Sequence, residues 1–235
     1  AEAVRLLLEA GASVGVTDGE GASALVLACE VGRLECAQLL LAAGAAVDQA
    51  EDSGCTPLFI ACQKGPSSAD KDGVTPLYIA CQNGHLECVR LLREAGAAMD
   101  QAPQNGATPL NIACLKGHLE VARLLRDAGA DINQAHENGF TPLSSACKNG
   151  HVEIVRLLLE TGAAVNQACN NGVTPLFAAC EHSNLECARL LRDAGAAVNQ
   201  ARADACTPLF FASQEGHLEC ARLLLGAGAA VDQAR

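Results

Sequence analysis

The sequence predicts an all-α repeat solenoid: stacked helix-turn-helix units of 33 residues joined by hairpin-like loops, with one unit lacking its second helix. Three observations support this class. Thr-Pro-Leu opens at Thr75, Thr108, Thr141, Thr174 and Thr207 at a constant interval of 33, and Ser23 precedes Thr56 by the same interval. Within each period the apolar residues fall at helical spacing in two short runs. A glycine closes each of the two runs in residues 108–140, Gly117 and Gly129.

Residues 108–140, TPLNIACLKGHLEVARLLRDAGADINQAHENGF, show why each element forms. Thr108 and Pro109 start a helix, because a threonine hydroxyl accepts from open backbone N–H groups and proline suits the first helical position. Leu110, Ala113 and Cys114 then share one face, with Ile112 beside it. Gly117 ends this helix, since glycine enters the left-handed region without the steric cost other residues bear. The second helix runs from about Leu119 to Asp127. Its apolar side holds Leu119, Val121, Ala122, Leu124 and Leu125, with Glu120, Arg123 and Arg126 outward, and Gly129 stops it. The pair Asn138-Gly139 marks a hairpin-like turn leading to the next Thr-Pro-Leu. Helices of roughly eight to ten residues are marginal alone because nucleation is costly, so they hold by stacking.

Tiled along the chain, the pattern predicts a single array over residues 1–235. It has a half unit at 1–22, units at 23–55, 75–107, 108–140, 141–173 and 174–206, a last unit at 207–235 and a truncated unit at 56–74. Residues 56–74 keep the first helix, PLFIACQK, and the turn, DKDGV, but carry PSSA where a second helix and its exit belong. Residues 65–74 reach about 33 Å when extended at roughly 3.3 Å each, so the array can continue past the loss. Two readings stand. Either a segment was lost by divergence or mis-splicing, or an apolar notch between outer helices at 34–42 and 86–94 awaits a partner helix or loop.

The recurring phrase TPLxxAxxxGHLExxRLLxxAGAxxNQ resembles the ankyrin repeat, whose period is also 33, and the resemblance covers the whole chain. It has two departures. Where the family has His after Thr-Pro-Leu, this chain has Phe59, Tyr78, Asn111, Ser144, Phe177 and Phe210. Where the family has Asp in the turn, this chain has Glu51, Pro103, His136, Cys169 and Arg202, so the hydrogen bonds those family residues supply are not expected here. The resemblance implies a protein-binding scaffold whose variable positions line a concave groove. It also implies that Asn133, Asn166 and Asn199 are candidates for asparagine hydroxylation.

Sixteen Lys and Arg against 27 Asp and Glu give a net charge of −11, which repels nucleic-acid phosphates and anionic membranes and favours a neutral or basic protein partner. The longest apolar runs, such as LLLAAGAAV at 39–47, are too short to cross a bilayer. Among the 13 cysteines, Cys29, Cys62, Cys81, Cys114, Cys147 and Cys180 share one repeat position. Cys36, Cys88, Cys187 and Cys220 share another with Val121 and Ile154. A thiol that exchanges with Val and Ile acts as a small hydrophobe, which suggests a reducing, cytoplasmic or nuclear compartment. Cys55, Cys169 and Cys206 fall in turns and are expected to be exposed.

No C-x-x-C pair, no Ser/His/Asp or Cys/His set and no phosphate-cradling loop rises above the repeat. The expectation is therefore no catalytic residue, no metal, no cofactor and no enzyme activity. His85, His118, His151 and His217, with Asn184 in the equivalent slot, are expected to be structural at the turn between helices. Glu-x-x-Arg pairs such as Glu186 and Arg189 read as a solvated face with weak ion pairs.

Positions that fix a stack recur, while positions that meet a partner are free to differ. By that criterion the turn tips are candidate partner-binding sites: Gln104, Asn105, Glu137, Asn138, Asn170, Asn171 and Phe140, the last expected to be exposed. The end of the first helix supplies Gln63, Lys64, Gln82, Asn83, Leu115, Lys116, Lys148, Asn149, Glu181, His182, Gln214 and Glu215. Phe59, Tyr78, Phe177 and Phe210 join them, either as interface anchors or as fillers of the space left by the missing His. The chain thus reads as a monomeric scaffold for a protein partner, without nucleic acid or membrane. The alternative is a regulatory arm of an enzyme or channel whose working domain lies outside these residues. Hydrogen exchange followed by mass spectrometry is predicted to be faster in residues 56–74 than in 108–206; equal protection throughout would remove the idea of a weak joint.

Overall fold

In the computed structural model, which describes residues 1–17, 22–48 and 74–231, the expected starts, stops and turns build an all-α repeat solenoid. In chain order the helices are α1 (Glu2–Glu9), α2 (Ala24–Glu30), α3 (Leu34–Ala42), α4 (Pro76–Gln82), α5 (Leu86–Glu94), α6 (Pro109–Lys116), α7 (Leu119–Asp127), α8 (Pro142–Asn149), α9 (Val152–Glu160), α10 (Pro175–Glu181), α11 (Leu185–Asp193), α12 (Pro208–Gln214) and α13 (Leu218–Gly226). Among the described residues the extended chain contributes one isolated bridge, between Thr17 and Ser23.

Each first helix starts on a buried hydroxyl. Ser23, Thr75, Thr108, Thr141, Thr174 and Thr207 each accept the backbone N–H three residues on, at 3.1–3.2 Å. None of the six is more than 5 % exposed, so no water can replace the hydroxyl, and each cap contributes about 1–2 kcal/mol. The second helices are treated differently. Their N-cap residues, His85, His151, Asn184 and His217, make no cap bond to their own helix. Those side chains reach back to the preceding repeat instead.

The chain divides into two compact units, residues 1–113 with 123–130 and residues 114–122 with 131–235. In the first, α2 packs on α4, α3 on α5, and α1 beside α3. Asn83 and His85 both bond the carbonyl of Glu30, at 3.0 and 2.9 Å, and the Asp48 carboxylate accepts from the N–H of Ala98 at 3.1 Å. The second unit repeats these bonds at shorter separations. His85 and Glu30 are 55 residues apart where His151 and Leu115 are 36 apart; Asp48 and Ala98 are 50 apart where Asn133 and Ala164 are 31 apart. Both excesses are 19, the spacing of Thr56 and Thr75. The repeats on either side of the short unit are therefore direct neighbours. Of the two readings of the short unit, the notch is corrected: helices 34–42 and 86–94 lie against each other. Residues 56–73 of the short unit, with Cys55 and Cys62, lie outside the described residues.

In the second unit α8, α10 and α12 stack in sequence, as do α9, α11 and α13. His151 Nε2 bonds the Leu115 carbonyl at 3.1 Å, and Asn184 Nδ2 donates to the carbonyls of Cys147 and Lys148, both at 2.9 Å. The side-chain oxygens of Asn133, Asn166 and Asn199 accept from the N–H groups of Ala164, Ala197 and Ala230, each at 2.8 Å. A carbonyl can only accept, so the ring proton sits on Nε2 in His85 and His151.

Gly117 shows why glycine stands in the turn. Its φ is +83°, and a Cβ there would lie 2.6 Å from the His151 ring. In the repeat where Ser183 takes that position, at φ 58°, a Cβ is present. There His217 uses Nδ1 and reaches the carbonyl of Cys180, one residue earlier than the equivalent carbonyl of Glu181.

The core is thin and made of recurring small residues. Leu77, Ala80 and Cys81, and their equivalents Leu110, Ala113 and Cys114, are fully buried, as is the second-helix series Val89, Leu92, Ala122 and Leu125. Cys36, Cys88, Cys187 and Cys220 are at most 2 % exposed, alongside Val121 and Ile154, which confirms their role as small hydrophobes. Cys29 meets Cys88, and Cys180 meets Cys220, closely enough to share hydrogen bonds across repeats. Burial raises the thiols of Cys114 and Cys147, and pushes Cys187 up to about 11. Cys169 departs from expectation: it is buried in a cluster with Val173, Phe177 and Ala178, because neighbouring aromatic rings close over its turn, while Cys206 is half-buried.

Gly117→Ala is predicted to destabilise the protein by about 2–3 kcal/mol in chemical denaturation, through backbone strain and loss of the His151 bond. Ser183→Gly is predicted to stabilise by about 0.5–1 kcal/mol. Equal effects of the two substitutions would show that the turn conformation does not matter.

Candidate functional site

The loop tips are tied before any partner arrives. Residues 136–140, 169–173 and 202–206 each close with a bond from the first N–H to the fifth carbonyl: His136 to Phe140 at 3.1 Å, Cys169 to Val173 at 3.0 Å, Arg202 to Cys206 at 2.9 Å. Adjacent tips are joined, Asn170 N to Asn138 O at 3.0 Å and Ala203 N to Asn171 O at 2.9 Å. The acceptor that the replaced turn Asp would supply has moved two residues along. Asn105, Asn171 and Asp204 accept from the N–H groups of Ala107, Val173 and Cys206. In residues 136–140 the His136 ring does the work itself, Nδ1 accepting from Asn138 N at 3.1 Å.

The structure sorts the candidates into three groups. Phe59, Gln63 and Lys64 lie outside the described residues. Tyr78 and Phe177, at 6 % and 0 % exposed, are core residues and are corrected as contact candidates: they fill the interior, Phe177 against Cys169 and Val173 of the loop before it. Asn83, Asn105, Asn170 and Asn171 are exposed but already hold the stack or the tips: Asn83 donates to Glu30, and Asn170 Nδ2 donates to the Glu137 carbonyl at 2.6 Å.

The remaining candidates are at least partly exposed. In the first unit Gln104 is exposed and Gln82 half-buried. In the second, Leu115, Lys116, Glu137, Asn138, Lys148, Asn149, His182, Gln214 and Glu215 are exposed, and Glu181 and Phe210 are half-buried.

Two aromatic groups lie along this face of the second unit. Phe140, expected to be exposed, is half-buried against the cluster of Cys169 and Phe177. Its ring stacks on His136, centroids 5.5 Å apart, with Lys148 Nζ 5.7 Å from its centroid. Leu115, Asn138 and Ser145 complete a cleft of about 220 Å³ around these three residues. One repeat on, Arg202 lies over both Phe177 and Phe211, at 5.5 and 5.7 Å. His136, Ser145 and Arg202 were absent from the candidates. The signal was available, since residue 145 belongs to the varying series Ile79, Ile112, Ser145, Ala178 and Phe211.

The family model described as ankyrin repeats (3 copies) matches residues 1–69, 64–136 and 128–202, and the model described as ankyrin repeat matches residues 204–235. No curated protein matches the chain.

Burial lowers the His136 pKa below 6.5, with the nearby Glu137 charge opposing. The sign follows from the bond: Nδ1 must be unprotonated to accept from Asn138, so the tip's contribution is complete above pH 6.5 and is lost as pH falls through the lower folded value. The His136 ring signal in an NMR titration is predicted to show a midpoint below 6.5; a midpoint above it would mean that the ring is not the acceptor.

Proposed function

The chain belongs to the ankyrin-repeat family, and we propose that it is a non-catalytic, monomeric scaffold that takes a protein partner on its groove side, through the first-helix ends and loop tips. Repeats of this family are protein–protein interaction modules and typically lack catalysis. One observation carries the choice of face. Backbone bonds already tie the tips of residues 136–140, 169–173 and 202–206, while Leu115, Lys116, Lys148, Gln214 and Glu215 stand exposed beside them. A surface ordered in advance loses less entropy on binding. The outer face offers less, because its ions close on each other, Arg189 with Glu186 at 2.8 Å and Arg222 with Glu219 at 2.9 Å.

Further features support the setting. The described cysteines remain thiols, in keeping with a reducing cytoplasm or nucleus. Among the described residues no helix is long and apolar enough to cross a membrane. The net charge of −11 favours a partner that is neutral or basic overall.

Affinity capture with quantitative mass spectrometry tests the face. A groove variant, Leu115→Asp with Lys116→Glu and Gln214→Lys, is expected to lose its partners about tenfold at unchanged melting. An outer-face variant, Arg90→Glu with Arg156→Glu and Arg189→Glu, is expected to keep them. The opposite pattern would move the interface to the outer helices.

A further inference from the structure

We propose that the cleft between Leu115, His136, Phe140, Ser145 and Lys148 receives an acidic residue of the partner together with the apolar side chain next to it, the carboxylate pairing with Lys148 and the apolar group resting on Leu115 and Phe140. This deepens the groove reading and rests on it.

Size sets the class of occupant. About 220 Å³ is below the roughly 300–1,000 Å³ of sites for drug-sized ligands and cofactors, so the cleft holds one or two side chains. One wall is apolar and fixed. Leu115 is 38 % exposed, and Phe140 is held from behind by the buried cluster and from the side by the His136 ring, whose plane is 13° from its own. An aromatic ring immobilised in this way meets a partner with little loss of freedom. The polar groups lie around this wall. Lys148 Nζ is near the Phe140 ring, and Ser145 lines the cleft beside them.

Charge selects an acid. In this unit Arg156, Arg189, Arg192, Arg202 and Arg222 are each paired with a carboxylate. Of the cations described in this unit, Lys116 and Lys148 have none, and Lys148 lines the cleft. The acids close by do not fill the role. Glu181 lies 3.8 Å from His182 and in the field of Arg202, and Glu137 forms no ion pair. A single ammonium beside an apolar wall suits one carboxylate, whereas phosphate is better matched by the fork of an arginine. The net charge of −11 does not oppose this, because repulsion between exposed charges fades beyond about 8 Å at physiological salt. The partner can be basic overall and still present one short acidic–apolar element.

The test is an NMR titration of the intact chain with three heptapeptides, Gly-Ser-Glu-Leu-Glu-Ser-Gly and its Gln and Lys counterparts. The Glu peptide is expected to shift the amides around Phe140 and Lys148 and to bind at least about fivefold tighter than the Gln peptide, with the Lys peptide weakest. Lys148→Gln is expected to abolish the difference between Glu and Gln peptides, and Leu115→Ser to weaken both, with the rest of the spectrum unchanged. Equal binding of the Glu and Gln peptides, a preference that survives Lys148→Gln, or no shift with millimolar peptide would overturn the proposal. Should the groove variant lose its captured partners while these peptides fail, the groove reading stands and the acidic–apolar occupant alone falls.

Discussion

Consecutive helix pairs in each unit are held in register by two side chains at opposite ends of the repeat. A His or Asn reaches back to a helix C-terminal carbonyl, as His151 does to Leu115, and an Asn or Asp accepts an N–H from the pair that follows, as Asn133 does from Ala164. Both bonds satisfy groups that a short helix or a turn would otherwise leave to water. They also fix the distance between layers, which is why the core can be built from Ala, Cys and Leu with few aromatic rings. Residues such as Gly117 follow from the same requirement, because the next repeat's ring occupies the volume where a side chain would stand.

Once the backbone is tied in this way, some exposed side chains at the helix ends, unlike Asn83, hold no neighbouring repeat. Lys116, Gln214 and Glu215 can vary without loosening the stack, whereas Asn170 and Asn171, also exposed, cannot, because the Asn170 amide joins one tip to the next and the Asn171 amide closes its own. The face is a fixed frame carrying replaceable contacts. Charge is distributed accordingly: Arg156, Arg189 and Arg222 on the second helices pair locally, and Lys148 near Phe140 is left for an outside group.

What the sequence made legible was local. Thr-Pro starts, glycine stops and the exchange of cysteine with Val121 and Ile154 each depend on residues a turn or two apart, and the structure agrees with all of them. Tyr78 and Phe177 stayed open between anchor and filler because variation among repeats does not separate a residue that meets a partner from one that fits a differently shaped interior, and Cys169 was misplaced because its turn lies under aromatic rings. The notch was misjudged for another reason. Linear order assigned residues 56–74 a place in the stack, whereas contact between helices 34–42 and 86–94 gives neighbouring places to the repeats on either side. The cleft at Phe140 was half legible: Leu115 and Lys148 stood out, but the stacking of His136 four residues away required the turn geometry.

The bonds from His85 to Glu30 and from Ala98 to Asp48 join residues 19 further apart in sequence than their counterparts at His151 and Ala164. Architecture at that point is indifferent to contour length. Repeats that carry these facing partners could therefore be recombined, in evolution or by engineering, with their layers still mated.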